Sequence, residues 1–212
     1  MQIESIFAGL AAPVLLGALL TKERYRAAFL LVACGYLACM LSAYFNTFFV
    51  GLYQTDFFVA TAEIAPVVEE VMKLLPLLLY LAVFDPKPKD AFAAFIVVGV
   101  GFATFENACY IAANESASLS FMLMRGLGAG AMHVVCGALV GFGLAFAWKR
   151  PWLKVSGTCG LLCVAITYHA VFNTLANAEG AAQLIGFAFP LATALIAVVS
   201  LQLFKRFSPK ER

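Results

Sequence analysis

Five long runs without an acidic or basic residue divide the chain: 5–21, 27–55, 126–148, 155–178 and 180–204. Two further stretches, roughly 57–84 and 90–113, are apolar overall but carry charges. About 20 largely apolar residues suffice for a helix to cross a bilayer. The runs are continuous rather than alternating, which argues against a β-barrel. The pattern predicts an all-α, polytopic membrane protein of about seven transmembrane helices. Spans of about 24 residues use most of the chain. Residues 1–212 therefore read as a single helical membrane domain, with short loops, no linker and no repeat.

Composition sharpens this. Apolar residues make up 63% of the 212 residues and charged residues 12%, against about 45–50% and about 25% in soluble proteins. Mean hydropathy is +0.92. These values exclude a disordered chain, a soluble globular domain and a nucleic-acid binder. The net charge of +2 names no partner beyond the lipid bilayer.

Where the charges sit is more informative. Lys22, Arg24 and Arg26 lie between the first two spans, Lys87 and Lys89 between the third and fourth, and Lys149, Arg150 and Lys154 between the fifth and sixth. Lys205, Arg206, Lys210 and Arg212 follow the last span, and the alternate loops have no Lys or Arg. Cytoplasmic loops carry the excess of Lys and Arg, so the N-terminus is expected outside and the C-terminus in the cytoplasm. Residues 1–20 lack a basic start, so the first span does not read as a cleaved signal peptide.

Lys73 and Arg125 lie inside spans, as do Glu63, Glu69, Glu70, Glu106, His133 and His169. An Asp, Arg or Lys at a span centre costs about 2.5–3.5 kcal/mol, and such residues mark functional sites by default. At 1.5 Å per residue, Glu69 and Glu70 lie about 18–20 Å from the outer end of their span. Glu106 lies about 13 Å from Glu115, and His133 and His169 lie about 22 Å and 15 Å into theirs. All fall in one slab, from mid-membrane toward the outer leaflet. Glu63, nearer the surface, reads as interfacial.

The third span carries Glu69-Glu70-x-x-Lys73 between Pro66 and Pro76. Lys73 is spaced to pair with either Glu as their counter-ion. Each proline removes a ladder hydrogen bond and frees a carbonyl, making room for water. The fourth reads Phe102-x-x-x-Glu106-Asn107-x-x-Tyr110, with Phe102, Glu106 and Tyr110 on one face. The fifth holds His133 among Gly126, Gly128, Gly130, Gly137, Gly141 and Gly143, and Gly137-x-x-x-Gly141 allows close helix approach. The sixth carries His169 and Asn173 one turn apart. Arg125 reads as snorkelling or paired with Glu115 or Glu106. The six cysteines, with no CxxC, read as packing residues.

Two hydrolytic schemes suit these groups. In one, ligands drawn from Glu70, His133, His169 and Glu106 hold Zn²⁺ with an open water position, and another Glu is the base. In the other there is no metal, and a buried Glu activates water with one His. Glu69 or Glu70 is the expected base, with the other a ligand or orienting partner. Asn173 and a His would donate to the oxyanion, with Lys73, Glu106 and Asn107 in support. No Ser or Cys makes a triad.

On Glu69-Glu70-x-x-Lys73, Phe102-x-x-x-Glu106-Asn107-x-x-Tyr110, His133 with its glycines, and His169-x-x-x-Asn173, the sequence resembles the PrsW family of intramembrane proteases. It is more distantly similar to the CAAX prenyl endopeptidase and bacteriocin-processing group. That group has His where this chain has Glu106, so the PrsW branch fits better. The resemblance implies a metalloprotease of the prokaryotic cytoplasmic membrane. Its substrates would be membrane proteins, with site-1 cleavage of an anti-sigma factor on the extracytoplasmic side. Three other readings stay open: a proton-coupled transporter, a bis-His haem protein and a non-catalytic membrane scaffold. Oligomeric state is not legible.

Overall fold

The helix boundaries fall where polar residues and prolines interrupt the apolar runs. In a computed structural model, which describes residues 3–114 and 116–207, the elements are α1 (Ile3–Leu20), α2 (Glu23–Tyr53), α3 (Phe57–Val59), a π-helical turn (Ala60–Ile64), α4 (Ala65–Phe84), α5 (Pro88–Ala113), α6 (Leu119–Ala147), α7 (Pro151–Ala176) and α8 (Ala181–Phe207). The third expected span is thus one continuous helical rod over 57–84 with a π turn near its start. Lys210 and Arg212, part of the expected basic tail, and Glu115, a suggested partner of Arg125, lie outside the described residues.

Local chemistry sets these ends. Pro88 and Pro151 open α5 and α7, where a missing N–H costs nothing. The Ser118 hydroxyl accepts the amide of Phe121 at 3.3 Å, and Asp56 accepts that of Val59 at 2.9 Å, both as N-caps. Left-handed residues turn the chain at Gln54 (φ 51°), Asp85 (φ 39°) and Gly180 (φ 64°). Arg26 Nε donates to the Ala18 carbonyl at 3.2 Å, satisfying the exposed end of α1.

Six helices among the described residues are long and apolar enough to cross a membrane: α1, α2, α5, α6, α7 and α8. The rod at 57–84 is the seventh long helix, and its charges set it apart. Large apolar side chains such as Leu16, Leu19, Leu79, Val83, Leu195 and Ile196 face outward, as a lipid-embedded bundle requires. The chain is an integral membrane protein.

Two apolar clusters hold the bundle. One joins α4 to α8 through Leu77, Phe95, Met132, Leu144 and Phe172. The other joins α1, α2 and α5 through Ala11, Tyr36, Phe102 and Phe105. The helix α4 packs against α2, α5 and α7 and buries Glu69, Glu70, Lys73, Leu74, Leu77 and Leu81 on one side. The expected close approach at Gly137 and Gly141 is present. A Cβ on Gly137 would stand 2.7 Å from the Phe95 carbonyl, and one on Gly141 2.7 Å from Phe95 Cβ. From the other side, a Cβ on Gly99 would meet the His133 carbonyl at 2.8 Å. These contacts bring α5 and α6 together at the depth of His133.

Candidate active site

The slab of ionisable residues read from the sequence becomes one buried cluster. Glu69, Glu70 and Lys73 on α4 meet His133 on α6 and His169 on α7, and all five are buried. The His133 and His169 rings lie edge to face, with centroids 5.2 Å apart.

Lys73 could have reached either Glu. It takes Glu70, with Nζ 2.5 Å from Oε1, and also lies 3.0 Å from His133 Nδ1. A lysine ammonium only donates, so Nδ1 of His133 accepts and its Nε2 carries the proton. That Nε2–H donates to Glu106 Oε2 at 3.1 Å. The Phe102 ring supports both partners, with its centroid 4.7 Å from that of His133 and 4.9 Å from Lys73 Nζ. This is the contribution of the aromatic residue in the α5 motif.

His169 is oriented differently. Its Nδ1–H donates to Glu70 Oε1 at 2.8 Å, which leaves the Nε2 lone pair free. That lone pair lies 3.7 Å from Glu69 Oε2, and Glu69 Oε2 is buried with no hydrogen-bond partner. Two adjacent glutamates therefore have opposite surroundings. Glu70 Oε1 takes both Lys73 and His169, whereas Glu69 Oε2 is left without a donor.

The two acceptors, Glu69 Oε2 and His169 Nε2, face one another with neither donating. Such a pair is stable only with a proton, a water or a cation between them. Glu69, His133 and His169 each offer a ligand atom, all within 4.8 Å of one another. Ligands of a tetrahedral zinc stand about 3.3 Å apart, given bonds of about 2.0–2.1 Å, so the 3.7 Å pair needs little adjustment. Glu70 on His169 Nδ1 supplies the carboxylate–histidine support usual behind a metal ligand. His133 would join through Nε2 as its other tautomer, the ring proton moved to Nδ1 and Lys73 left to Glu70 alone. The donor types suit a zinc ion, and the three ligand atoms, within 4.8 Å of one another, would have to close toward it. The set contains Glu69, whereas the sequence reading placed Glu70 and Glu106 with the two histidines.

Glu106 faces the cavity beside the cluster. Arg125 Nη2 lies 3.5 Å from its Oε1, one of the alternatives read from the sequence, while Arg125 Nη1 donates to the Asn107 carboxamide. The guanidinium also stacks 3.8 Å over the Tyr110 ring. Asn173 lies one turn beyond His169, as expected, but its Nδ2 donates to the main-chain carbonyl of Thr61 at 2.8 Å. Glu63 is exposed. Of the cysteines, Cys39 and Cys136 are buried and Cys159 and Cys163 face outward.

The cavity has a volume of about 410 Å³. Glu69, Glu106 and Met132 line it, with Phe121, Phe172 and Phe187 forming an apolar wall and Thr61, Asn173 and Asn177 a polar one. A second cavity of about 20 Å³ lies beside Glu70, Lys73 and Cys136, room for one water molecule on the far side of the ion pair.

Sequence reasoning missed Asn46, whose Nδ2 lies 3.5 Å from Glu69 Oε1. A lone Asn inside the run 27–55 gave the only signal. Thr61 and Asn177 were missed as well, being near a span end where polar residues are ordinary.

No solved structure matches the chain. Residues 23–201, which hold every residue of the cluster, match the PrsW family intramembrane metalloprotease, and the chain belongs to that family of intramembrane proteases.

Proposed function

We propose that this protease hydrolyses a peptide bond of a membrane-anchored protein near the extracytoplasmic face of a prokaryotic cytoplasmic membrane, and that site-1 cleavage of an anti-sigma factor is its task. The loop charges support this placement, because the polar cluster runs from the middle of the bundle toward the loops without Lys or Arg.

The observation that carries the reading is the free, buried Oε2 of Glu69 opposite the His169 lone pair, at the wall of a cavity large enough for a peptide segment. Glu69 holds the attacking water and accepts its proton. Glu70, neutralised by Lys73, fixes the His169 ring. Glu106 and Lys73 fix His133 from both ring nitrogens. The second N–H of Asn173 is the donor for the developing oxyanion. Zn²⁺ held by Glu69, His133 and His169 would lower the pKa of its bound water and polarise the scissile carbonyl. Glu69 is then committed as a ligand, and Glu106, the other carboxylate lining the cavity, accepts the proton.

The test is cleavage of a single-pass substrate in liposomes by wild type, Glu69→Gln and His169→Ala, with and without chelator, alongside thermal melts of each protein. Folded variants should lose at least about 100-fold in rate. Chelator sensitivity that zinc reverses would establish the metal scheme. A folded wild type inert toward a broad substrate panel would overturn the proposal in favour of a scaffold.

A further inference from the structure

Thr61 carries a main-chain carbonyl that the helix itself cannot satisfy. It lies in the π turn Ala60–Ile64, whose register commits the amide of Ala65 to the carbonyl of Ala60. That removes the α-helical donor for Thr61. The π-helical donor, five residues on, would be residue 66, which is proline and has no N–H. Asn173 Nδ2 fills the place at 2.8 Å. One turn further along α7, Asn177 Nδ2 donates to Thr61 Oγ1 at 3.3 Å. All three residues line the cavity that holds Glu69.

A side-chain amide on a main-chain carbonyl reproduces the bond between two peptide strands. A protease working in a membrane needs such bonds. Its substrate enters as a helix whose main chain is internally paired, and the bond to be cut must be drawn out of that helix. Each N–H and C=O so released is costly in apolar surroundings unless the enzyme pairs it. The register also suits. Thr61 is eight residues from Glu69, about 12 Å along the rod. An extended chain covers that distance in about three to four residues.

The geometry points to a clamp for the main chain of an unwound substrate segment, built from the Thr61 carbonyl and the amides of Asn173 and Asn177. A substrate N–H takes the second lone pair of the Thr61 carbonyl, which Asn173 holds in place, and a substrate carbonyl takes the free N–H of Asn177. The clamp grips about three to four residues from the cleaved bond. This inference rests on the peptidase reading above and adds the part of the substrate that is recognised: its backbone, independent of side chains.

Synthetic transmembrane substrates with single amide-to-ester replacements test it, since an ester removes one N–H and weakens the neighbouring carbonyl. In liposomes with wild-type protein, an ester about three to four residues from the cleaved bond should lower kcat/KM about five- to tenfold. Asn177→Leu should lower kcat/KM for the all-amide substrate by a similar factor, and the two losses should not multiply when combined. Pro66→Ala restores an N–H to the rod and should behave like Asn177→Leu, with a thermal melt of the variant taken alongside because Pro66 is buried. The clamp is overturned if no ester position beyond the cleaved bond matters, or if ester and variant losses multiply fully. Wild type that leaves the all-amide substrate uncut overturns the peptidase reading, and the clamp with it.

Discussion

Glu69 and Glu70 are adjacent in sequence, yet the burial and pairing around them assign them different work. Glu70→Gln removes the counter-charge of a buried lysine and should destabilise the protein by about 3–5 kcal/mol, seen as a lower melting temperature in detergent. Glu69→Gln keeps the shape of a side chain whose Oε2 has no partner. It should melt within about 1 kcal/mol of wild type while losing activity. A melt in which Glu69→Gln is the less stable of the two would reverse the assignment. Glu106→Gln separates the schemes: with zinc as cofactor it should cost about 100-fold or more in rate, and without it about tenfold. The cluster was legible because ionisable groups in apolar runs are expensive and their depth follows from counting residues. Its pairing was not, because Lys73 is equally well spaced for both glutamates and only the position of His133 decides. Asn46 was invisible for a related reason, since one amide in a 31-residue helix carries no depth partner to mark it.

Among elements, the contact between α5 and α6 governs whether Glu106 meets His133. Gly99→Ala would place a methyl 2.8 Å from the His133 carbonyl. It should cost about 1–3 kcal/mol and lower activity as the helices part. Gly130, on the same helix as His133, has nothing within 4 Å of an added Cβ. Gly130→Ala should be neutral or stabilise by up to about 1 kcal/mol. Paired melts of the two variants check this, and equal effects would argue against a packing role for Gly99. Spacing marked Gly137 and Gly141 for close approach, but Gly126 and Gly130 share that spacing, and only the facing helix shows that Gly130 is free of contact. The prolines were more legible: a freed carbonyl near Pro66 was foreseen. That it would be Thr61's, met by Asn173, depended on a π register that no residue spacing announces.

For the molecule as a whole, the positions of the helices were readable from charge-free runs, and the rod at 57–84 falls at its expected bounds. In a cysteine-free background, Ser118→Cys should react with an impermeant maleimide on intact cells and Lys149→Cys should not, if the basic loops are cytoplasmic. The reverse labelling would invert the bundle and place the cluster toward the inner leaflet. The same rod bears on how the protein is made. It is the one long helix among the described residues in which every membrane-length stretch holds three charged residues, Glu69, Glu70 and Lys73. Their partners His133 and His169 are about 60 and 100 residues downstream and leave the ribosome later. Insertion of the rod is therefore not autonomous. During synthesis it must wait at the translocon or interface until α6 and α7 arrive to pair its buried polar groups, so a chain halted before residue 133 should leave 57–84 accessible to protease while α1 and α2 are already protected.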